Sequence, residues 1–419
     1  MEQKFKQIVS EQREELPVIL RQGWVPREQE QFIDTDSRQA QIITGVRRAG
    51  KSTIAHRALK GIPYAYVNFD DERLANPGAD ALDKLLEALY AIYGEFHHLL
   101  LDEIQHVNHW HLFVNRLLRN GIRVFLTGSN SRLLRDEMAT HLTGRYKAME
   151  VFPFSFREFL TLKNFEWTGS GTAKELGIVK GFFNEYMTHG GFPEIALGEA
   201  GTGYAEHLFD DIITRDIIFR YHIRHIRSFR ETARYLSGNY GSEISFNRIK
   251  NLFGIGSENT AKNYISHLGE AYLIPTLPKF SFKNQERLRY RKTYIIDTSF
   301  AHITGLDFTP NTGKLLENVV YLELARRTSG SQFELFYYKQ VYEVDFLLYR
   351  NRKVHELIQV TQSIRDAKTM NREIRALIHA AIALKAGKLT IITLDDSRII
   401  ESQGFNIHVL PITEWLMGK

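Results

Sequence analysis

Residues 45–53 read Gly45-Val46-Arg47-Arg48-Ala49-Gly50-Lys51-Ser52-Thr53, the spacing G-x-x-x-x-G-K-[ST], and they directly follow a short apolar run at 41–44. The two glycines let the backbone curl until its N–H groups surround a chain of phosphates. Lys51 can then reach the β and γ oxygens, and Ser52 offers its hydroxyl to Mg2+. Thr53 opens a helical stretch to residue 60, whose positive N-terminal end faces the same phosphates. Gly45, Arg48, Ala49, Gly50, Lys51, Ser52 and Thr53 are therefore the expected nucleotide-binding residues. The chain reads as a nucleoside triphosphate binder.

A second run, His97-His98-Leu99-Leu100-Leu101-Asp102-Glu103, ends in two carboxylates. That pattern describes a buried parallel strand whose C-terminal end opens onto a ligand crevice. Asp102 is expected to hold Mg2+ through its water shell, beside Ser52, and Glu103 to polarise the attacking water. A third run, Val124-Phe125-Leu126-Thr127, is expected to bring Thr127, Ser129 or Asn130 near the γ-phosphate, with Asn130 as a catalytic candidate. A Glu next to the metal-holding Asp points to hydrolysis by a positioned water. The guanine-reading pattern Asn-Lys-x-Asp is missing from the sequence, so ATP is the expected nucleotide.

The elements that must position these residues alternate. Strands are expected at 41–44, 64–68, 98–101 and 124–127 with helical patterns between them, as in a parallel sheet flanked by helices. A helical region follows to about 235, short helices and a β-like tail occupy 242–280, and a second α/β alternation begins near 290. Its strands are expected near 293–296, 333–338, 343–349, 354–360, 389–393 and 406–409. The expected fold class is α/β: a P-loop sheet, a helical and winged-helix region, and a second α/β domain. The domain boundaries are drawn at 1–165, 166–238, 239–285 and 286–419. With 419 residues and 43% hydrophobic content the chain can bury more than one core. It has no cysteine, which excludes disulfides and thiolate metal sites and suits a reducing cytoplasm. No apolar stretch approaches the ~20 residues of a membrane span. The net charge of +5 is too small to decide a nucleic-acid partner by itself. His97, His98, His106, His109 and His111 crowd the second run but lack the spacing of a helical zinc site.

The order of these features resembles the bacterial and archaeal AAA-type ATPases with an uncharacterised C-terminal region. The resemblance is carried by residues 45–53, Asn68-Phe69-Asp70-Asp71, Leu101-Asp102-Glu103-Ile104-Gln105 with Trp110, and Leu126-Thr127-Gly128-Ser129-Asn130-Ser131. It continues through Gly144-Arg145, the 152–159 stretch beginning Phe152-Pro153-Phe154, and Gly190-Gly191-Phe192-Pro193-Glu194. It implies an ATP site completed by an arginine from a neighbouring subunit of a homo-oligomer, with Arg145 the first candidate and Arg132 and Arg135 its rivals.

Residues 242–280 resemble a winged helix-turn-helix, in which Ser257 caps the second helix and leaves Asn259, Lys262, Asn263 and His267 to a DNA or RNA groove. Arg287, Arg289 and Arg291 alternate at period two, as on one face of a basic ribbon. Upstream, Arg220, Arg224, Arg227 and Arg234 fall at helical spacing as a stripe. The last region looks like a PD-(D/E)XK nuclease-type domain, with Glu317, Asp345 and a third element that reads Gln359-Val360-Thr361. Where that pattern wants a carboxylate and a lysine, an amide and a hydroxyl stand, so an inactive or atypical centre is expected. The chain thus reads as a Mg2+-dependent ATPase of AAA type that couples nucleotide state to nucleic-acid or other macromolecular binding. Two other readings share the site: a slowly hydrolysing DNA-binding or scaffolding switch, and an ATP-dependent nuclease.

Overall fold

Four of the apolar runs lie side by side in one sheet: β1 (Ala40–Gly45), β2 (Ala65–Asn68), β3 (His98–Asp102) and β4 (Arg123–Gly128). A fifth strand, β5 (Tyr146–Val151), joins at the edge, and the order is β2-β3-β4-β1-β5 with every pairing parallel. Parallel strands need helical crossovers that cover both faces, which is why these runs are unbroken rather than alternating. Helices Lys51–Ala58, Ala79–Tyr93 and Trp110–Arg119 supply that cover. Helix Glu2–Arg21 adds Phe5, Ile8 and Val9 to a core that includes Leu82, Leu85, Leu99 and Leu101. Because all five strands point the same way, everything that follows β1, β3 and β4 gathers at one edge.

The computed structural model describes residues 2–21, 24–74, 79–129, 142, 144–303 and 311–418. Within it the chain forms two units, Met1–Phe152 with Glu270–Tyr272, and Pro153–Gly269 with Leu273–Lys419. Asn130, Arg132 and Arg135 lie outside the described residues.

The second unit opens with helix Phe156–Leu162, whose start is fixed by a reciprocal cap between Ser155 and Glu158. Helices Ala173–His189 and Tyr204–Asp211 follow, the latter running into a π-helical stretch at Ile212–Phe219. After helix Ile226–Gly238 come β6 (Ser242–Glu243), helices Phe246–Leu252 and Glu258–Glu270, β7 (Thr276–Pro278) and β8 (Arg291–Thr293). These strands form a small antiparallel sheet in the order β6-β8-β7. Helix Thr312–Thr328 then leads into β9 (Glu334–Lys339), β10 (Glu343–Arg350), β11 (Lys353–Val360), β12 (Lys388–Thr393), β13 (Arg398–Ser402) and β14 (Phe405–Pro411). They form a mixed sheet in the order β13-β14-β12-β11-β10-β9, and helix Ala367–Leu384 makes the crossover between parallel β11 and β12. Leu377 and Ala381 of that helix pack with Leu357, Leu389 and Ile391 of the sheet.

Three expectations change. Arg287 and Arg289 do not lie on a ribbon, since Asn284–Arg289 is a helix and only Arg291 begins a strand. The segment Gln285-Glu286-Arg287-Leu288-Arg289 is made of good helix formers, and that preference prevails over its period-two alternation. The arginine stripe is likewise broken, because Arg227 and Arg234 share helix Ile226–Gly238 while Arg220 and Arg224 precede it. The strand expected at 293–296 ends at Thr293. There the Asn318 side chain replaces a neighbouring strand, accepting from Ile295 N and donating to Ile295 O, both at 3.0 Å.

Gly45 sits at the tightest approach in the first unit. Its φ is 153°, and an added Cβ would lie 2.1 Å from Val151 O on β5. Gly45→Ala is therefore expected to cost about 2–4 kcal/mol, the range of severe backbone and overpacking effects. Gly177→Ala, in a helix where an added methyl meets nothing, is expected to be neutral or slightly stabilising. Urea unfolding followed by circular dichroism separates the two.

Candidate functional site

The loop after β1 is held open by unusual backbone conformations, with φ of 65° at Arg48 and 91° at Gly50. A brace that spacing gave no hint of comes from Arg27. Its buried guanidinium donates from Nη1 to Ala49 O at 2.8 Å and from Nη2 to Phe152 O at 2.6 Å. Lys51 opens the following helix, is 4% exposed, and donates from Nζ to Val46 O at 3.1 Å. The same Nζ lies 3.7 Å from Glu103 Oε1. The two residues given the phosphates and the water are thus neighbours.

Asp102 ends β3 inside the protein. Ser52 Oγ donates to its Oδ1 at 2.8 Å, Thr127 Oγ1 donates to the same oxygen, and Tyr66 OH donates to Oδ2 at 3.4 Å. Thr127 also accepts from Glu103 N at 3.0 Å, so one hydroxyl fixes both acidic residues. Burial and the adjacent Glu103 carboxylate push the Asp102 carboxyl up to about 6, against the pull of the Thr127 and Ser52 hydroxyls. Burial also raises the Glu103 carboxyl, but Lys51, the Gln105 amide and Arg47 together outweigh it and hold the group below its usual range. Two adjacent carboxyls are thereby driven apart: Glu103 stays ionised as a base, and at Asp102 the Lys51 charge and the two hydroxyls offset burial only in part.

Glu103 takes a left-handed φ of 53°, rare for a non-glycine residue, and that turn aims its side chain at the crevice. Gln105 holds it there, donating from Nε2 to Glu103 Oε2 and lying 3.3 Å from Ser129 Oγ. Tyr272, remote in sequence but part of this unit, donates from its hydroxyl to Thr44 Oγ1 at 2.8 Å, one residue before the loop begins. Arg145 is exposed and immediately precedes β5, and its carbonyl accepts from Ala40 N at the start of β1. It therefore lies at the opposite edge of the sheet from the loop of its own chain.

The donor set suits a hard cation. A hydroxyl and a carboxylate stand together, the usual protein share of a Mg2+ site whose other ligands are phosphate oxygens and waters. Among the described residues no group of three or more His, Cys, Asp or Glu side chains could hold a metal ion. No helix of the described residues is long and apolar enough to cross a membrane.

A second polar pocket, of about 730 Å³, opens beside β10 and β11 in the second unit. Glu317, Asp345, Gln359 and Thr361 are among its lining residues. Three of the carboxylates that line it share one buried lysine. Lys292 on β8, 3% exposed, puts Nζ 3.1 Å from Glu317, 2.7 Å from Glu343 and 3.5 Å from Asp345. Tyr294 OH donates to Glu317 at 2.8 Å and Val360 N to Asp345 at 2.9 Å. Burial and Glu317 raise the Asp345 carboxyl, and Lys292 only partly offsets them.

Helix Glu258–Glu270 starts under a cap from Ser257, whose Oγ accepts from Thr260 N at 3.0 Å. Asn259, Lys262 and Asn263 face solvent, while His267 stacks on Tyr221 with ring centroids 3.8 Å apart. Four of the other basic residues are engaged locally. Arg287 lies 3.4 Å from Glu334 and over the Phe336 ring, Arg291 donates to Thr276, and Arg227 and Arg234 pair with acids on helical neighbours.

A parallel sheet of this order, with a phosphate loop after one strand and an Asp-Glu pair two strands away, defines an AAA-type P-loop ATPase, and residues 37–160 match the AAA domain family. Residues 181–310 match a domain of unknown function (DUF8612). The chain belongs to the family of the uncharacterized protein MJ1544 of Methanocaldococcus jannaschii. It is 36% identical to that protein over 392 residues, covering 89% of this chain and 87% of that one. An uncharacterized protein of Haemophilus influenzae is 27% identical, with 92% and 96% covered. Among solved structures, the Walker-type ATPase PABY2304 of Pyrococcus abyssi is 14% identical with a TM-score of 0.44, covering 68% of this chain and 97% of that one.

Asp102 supplies a pH test. A carboxyl whose folded value is about 6, against about 4 when unfolded, stabilises the fold fully below pH 4, and that contribution is lost as pH rises through 6. Relative to Asp102→Asn, the ligand-free parent should lose roughly 2–3 kcal/mol over that window. Urea midpoints measured for both proteins from pH 4.5 to 7 check this. Parallel curves would show that Asp102 is not the group concerned.

Proposed function

We propose that this protein is a Mg2+-dependent ATPase that couples nucleotide turnover to the binding of a nucleic acid. The observation that carries the ATPase reading is the shared anchoring of Asp102 and Glu103 by Thr127, with Ser52 on the first and Lys51 beside the second. When bound, Mg2+ would draw charge from the phosphate oxygens, with Ser52 and Asp102 as its protein contacts. The loop amides and Lys51 bind the phosphates, while Glu103, kept ionised and aimed by Gln105, takes a proton from the attacking water. Adenine is favoured over guanine because the guanine-reading pattern is missing. The cysteine-free composition suits a reducing cytoplasm.

Coupling to nucleic acid is supported by the second unit. The succession of helix Ile226–Gly238, β6, two helices and the β7–β8 pair, with sheet order β6-β8-β7, supports the winged-helix reading. Helix Glu258–Glu270 then presents Asn259, Lys262 and Asn263 outward in the manner of a groove-reading helix. The pocket lined by Glu317, Asp345, Gln359 and Thr361 supports a nuclease-like domain that does not cut, because an amide and a hydroxyl stand where a metal-holding carboxylate and a lysine are wanted. Arg145, at the far edge of its own sheet, serves a neighbouring copy in a homo-oligomer.

Lys51→Ala is expected to abolish tight ATP binding. Glu103→Gln is expected to keep binding and lower turnover at least 100-fold, since Glu103 acts on the water and not on the ground state. Titration with a fluorescent ATP analogue and phosphate release measure the two effects, and parent-like turnover in Glu103→Gln would remove Glu103 from its role.

Binding to duplex DNA or RNA is expected to weaken steeply with salt, and Lys262→Ala should reduce the salt slope by about one. No cleavage of plasmid DNA is expected with Mg2+ or Mn2+. Nicking that disappears in Asp345→Ala would overturn the inactive-centre reading, and salt-insensitive or undetectable binding would make helix Glu258–Glu270 a protein contact instead.

A further inference from the structure

Arg47 is the third residue of the phosphate loop, and its side chain does not stay over its own strand. In the sheet, β4 and β3 separate β1 from β2, yet Arg47 Nη2 lies 3.5 Å from Oδ2 of Asp70, which follows β2. Three inter-strand spacings amount to about 14 Å. The loop and Asp70 lean toward each other over that distance, so their ion pair spans the ends of β4 and β3, where Thr127, Asp102 and Glu103 converge. The Arg47 side chain is 15% exposed and that of Asp70 is 44% exposed. The arginine is therefore largely inside the crevice, and its partner stands at the mouth. The positive field of Arg47 also reaches the Glu103 carboxylate. The charge of Arg47 thus acts on the same carboxylate that lies 3.7 Å from Lys51 Nζ.

We propose that Arg47 is a catalytic cation supplied in cis, which leaves Asp70 when ATP binds and stabilises the charge that develops on the γ-phosphate oxygens during hydrolysis. The inference rests on the ATPase reading above. In the reaction, the water oxygen bonds to the γ-phosphorus and the bond to the β,γ-bridging oxygen breaks, leaving its electron pair on ADP. One water proton passes to Glu103 and then to solvent. Charge accumulates on the bridging and terminal oxygens, and a planar guanidinium matches two such oxygens at once. Asp70 holds it weakly, because that carboxylate is 44% exposed and its charge is screened by water. A terminal phosphate, carrying more charge than a carboxylate, takes Arg47 over. Lys51 cannot fill this role alone, since it already serves the β and γ oxygens in the ground state. A chain that carries its own arginine turns over without a neighbour, and Arg145 of an adjacent copy adds to that basal rate.

The test uses the full chain and a readout independent of turnover. Affinities are measured for ADP, for a non-hydrolysable ATP analogue, and for ADP with aluminium fluoride, which imitates the phosphoryl group in transit. Arg47→Ala is expected to lower kcat by about 100- to 1,000-fold and the aluminium fluoride affinity by a similar factor, with the ATP analogue within about threefold of the parent. Arg47→Lys should recover part of both losses. Asp70→Asn should tighten the ATP analogue by up to about fivefold, because Arg47 is no longer held back. Parent turnover per chain should fall to a basal rate on dilution to the monomer without vanishing, and that basal rate should be lost in Arg47→Ala. Equal losses for the analogue and the aluminium fluoride complex, or no loss in either while Glu103→Gln still blocks turnover, would overturn Arg47 and leave the ATPase reading standing. A parent that neither hydrolyses ATP nor forms the aluminium fluoride complex would overturn both.

Discussion

Asp102 is a carboxylate enclosed by protein, and much of the first unit follows from the need to keep it there. A buried charge is costly unless hydrogen bonds replace its water. Here the replacements are hydroxyls from three elements: Ser52 at the start of the loop helix, Thr127 at the end of β4 and Tyr66 on β2. Those donors can converge only if β4 lies between β1 and β3 and all the strands end at one edge. The sheet order is in this sense the geometry of solvating one carboxylate. It remains incompletely solved, as the raised carboxyl shows. That shortfall is useful in a site built to receive a cation and a polyphosphate, because the ligand supplies what the protein withholds.

The second unit meets a related problem with the opposite answer. Around Lys292 the protein brings its own cation, and Glu317, Glu343 and Asp345 surround one ammonium. Burial alone would drive the lysine toward neutrality, but the three carboxylates more than reverse that and raise it above its ordinary value. An ion cluster of this kind adds little net stability over apolar packing of the same volume, yet removing one member leaves the others exposed to a large penalty. Its persistence at the base of a polar pocket sets it apart from the surrounding core of β10 and β11. The first unit thus leaves a charge to be filled by a ligand, and the second fills its own.

The parts of this architecture that were readable in advance are those in which residue type and spacing do the chemistry locally. Gly45, Gly50, Lys51 and Ser52 act within one turn of chain, so their order alone located the loop. Asp102 and Glu103 were readable because an apolar strand ending in two acids has few other uses. Arg27 was not, since it braces the loop through backbone carbonyls of Ala49 and Phe152 that no spacing connects to it. Gln105 stands in the sequence only as a neighbour of the acid pair, and its hold on Glu103 depends on the left-handed turn at that residue. Strand β5 was missed because Tyr146-Lys147-Ala148-Met149-Glu150-Val151 is a half-exposed edge with little apolar contrast. The arginines at 287, 289 and 291 show the reverse failure, where an alternating pattern was also a good helix sequence. Lys292 lay beside them in plain view, but its meaning appears only when β8 is set against Glu317 and β10.

The first unit is discontinuous in sequence. It takes in residues 1–152 and then, after 117 intervening residues, the short segment Glu270–Tyr272, whose Tyr272 hydroxyl caps Thr44 at the foot of the phosphate loop. At a synthesis rate of about 5–20 residues per second, roughly 6–25 seconds separate the last residue of the sheet from that segment. A nascent chain therefore presents an unfinished nucleotide loop to the cell until most of the intervening helices have been made. Birth order on the ribosome delays completion of the loop until Tyr272 has been added.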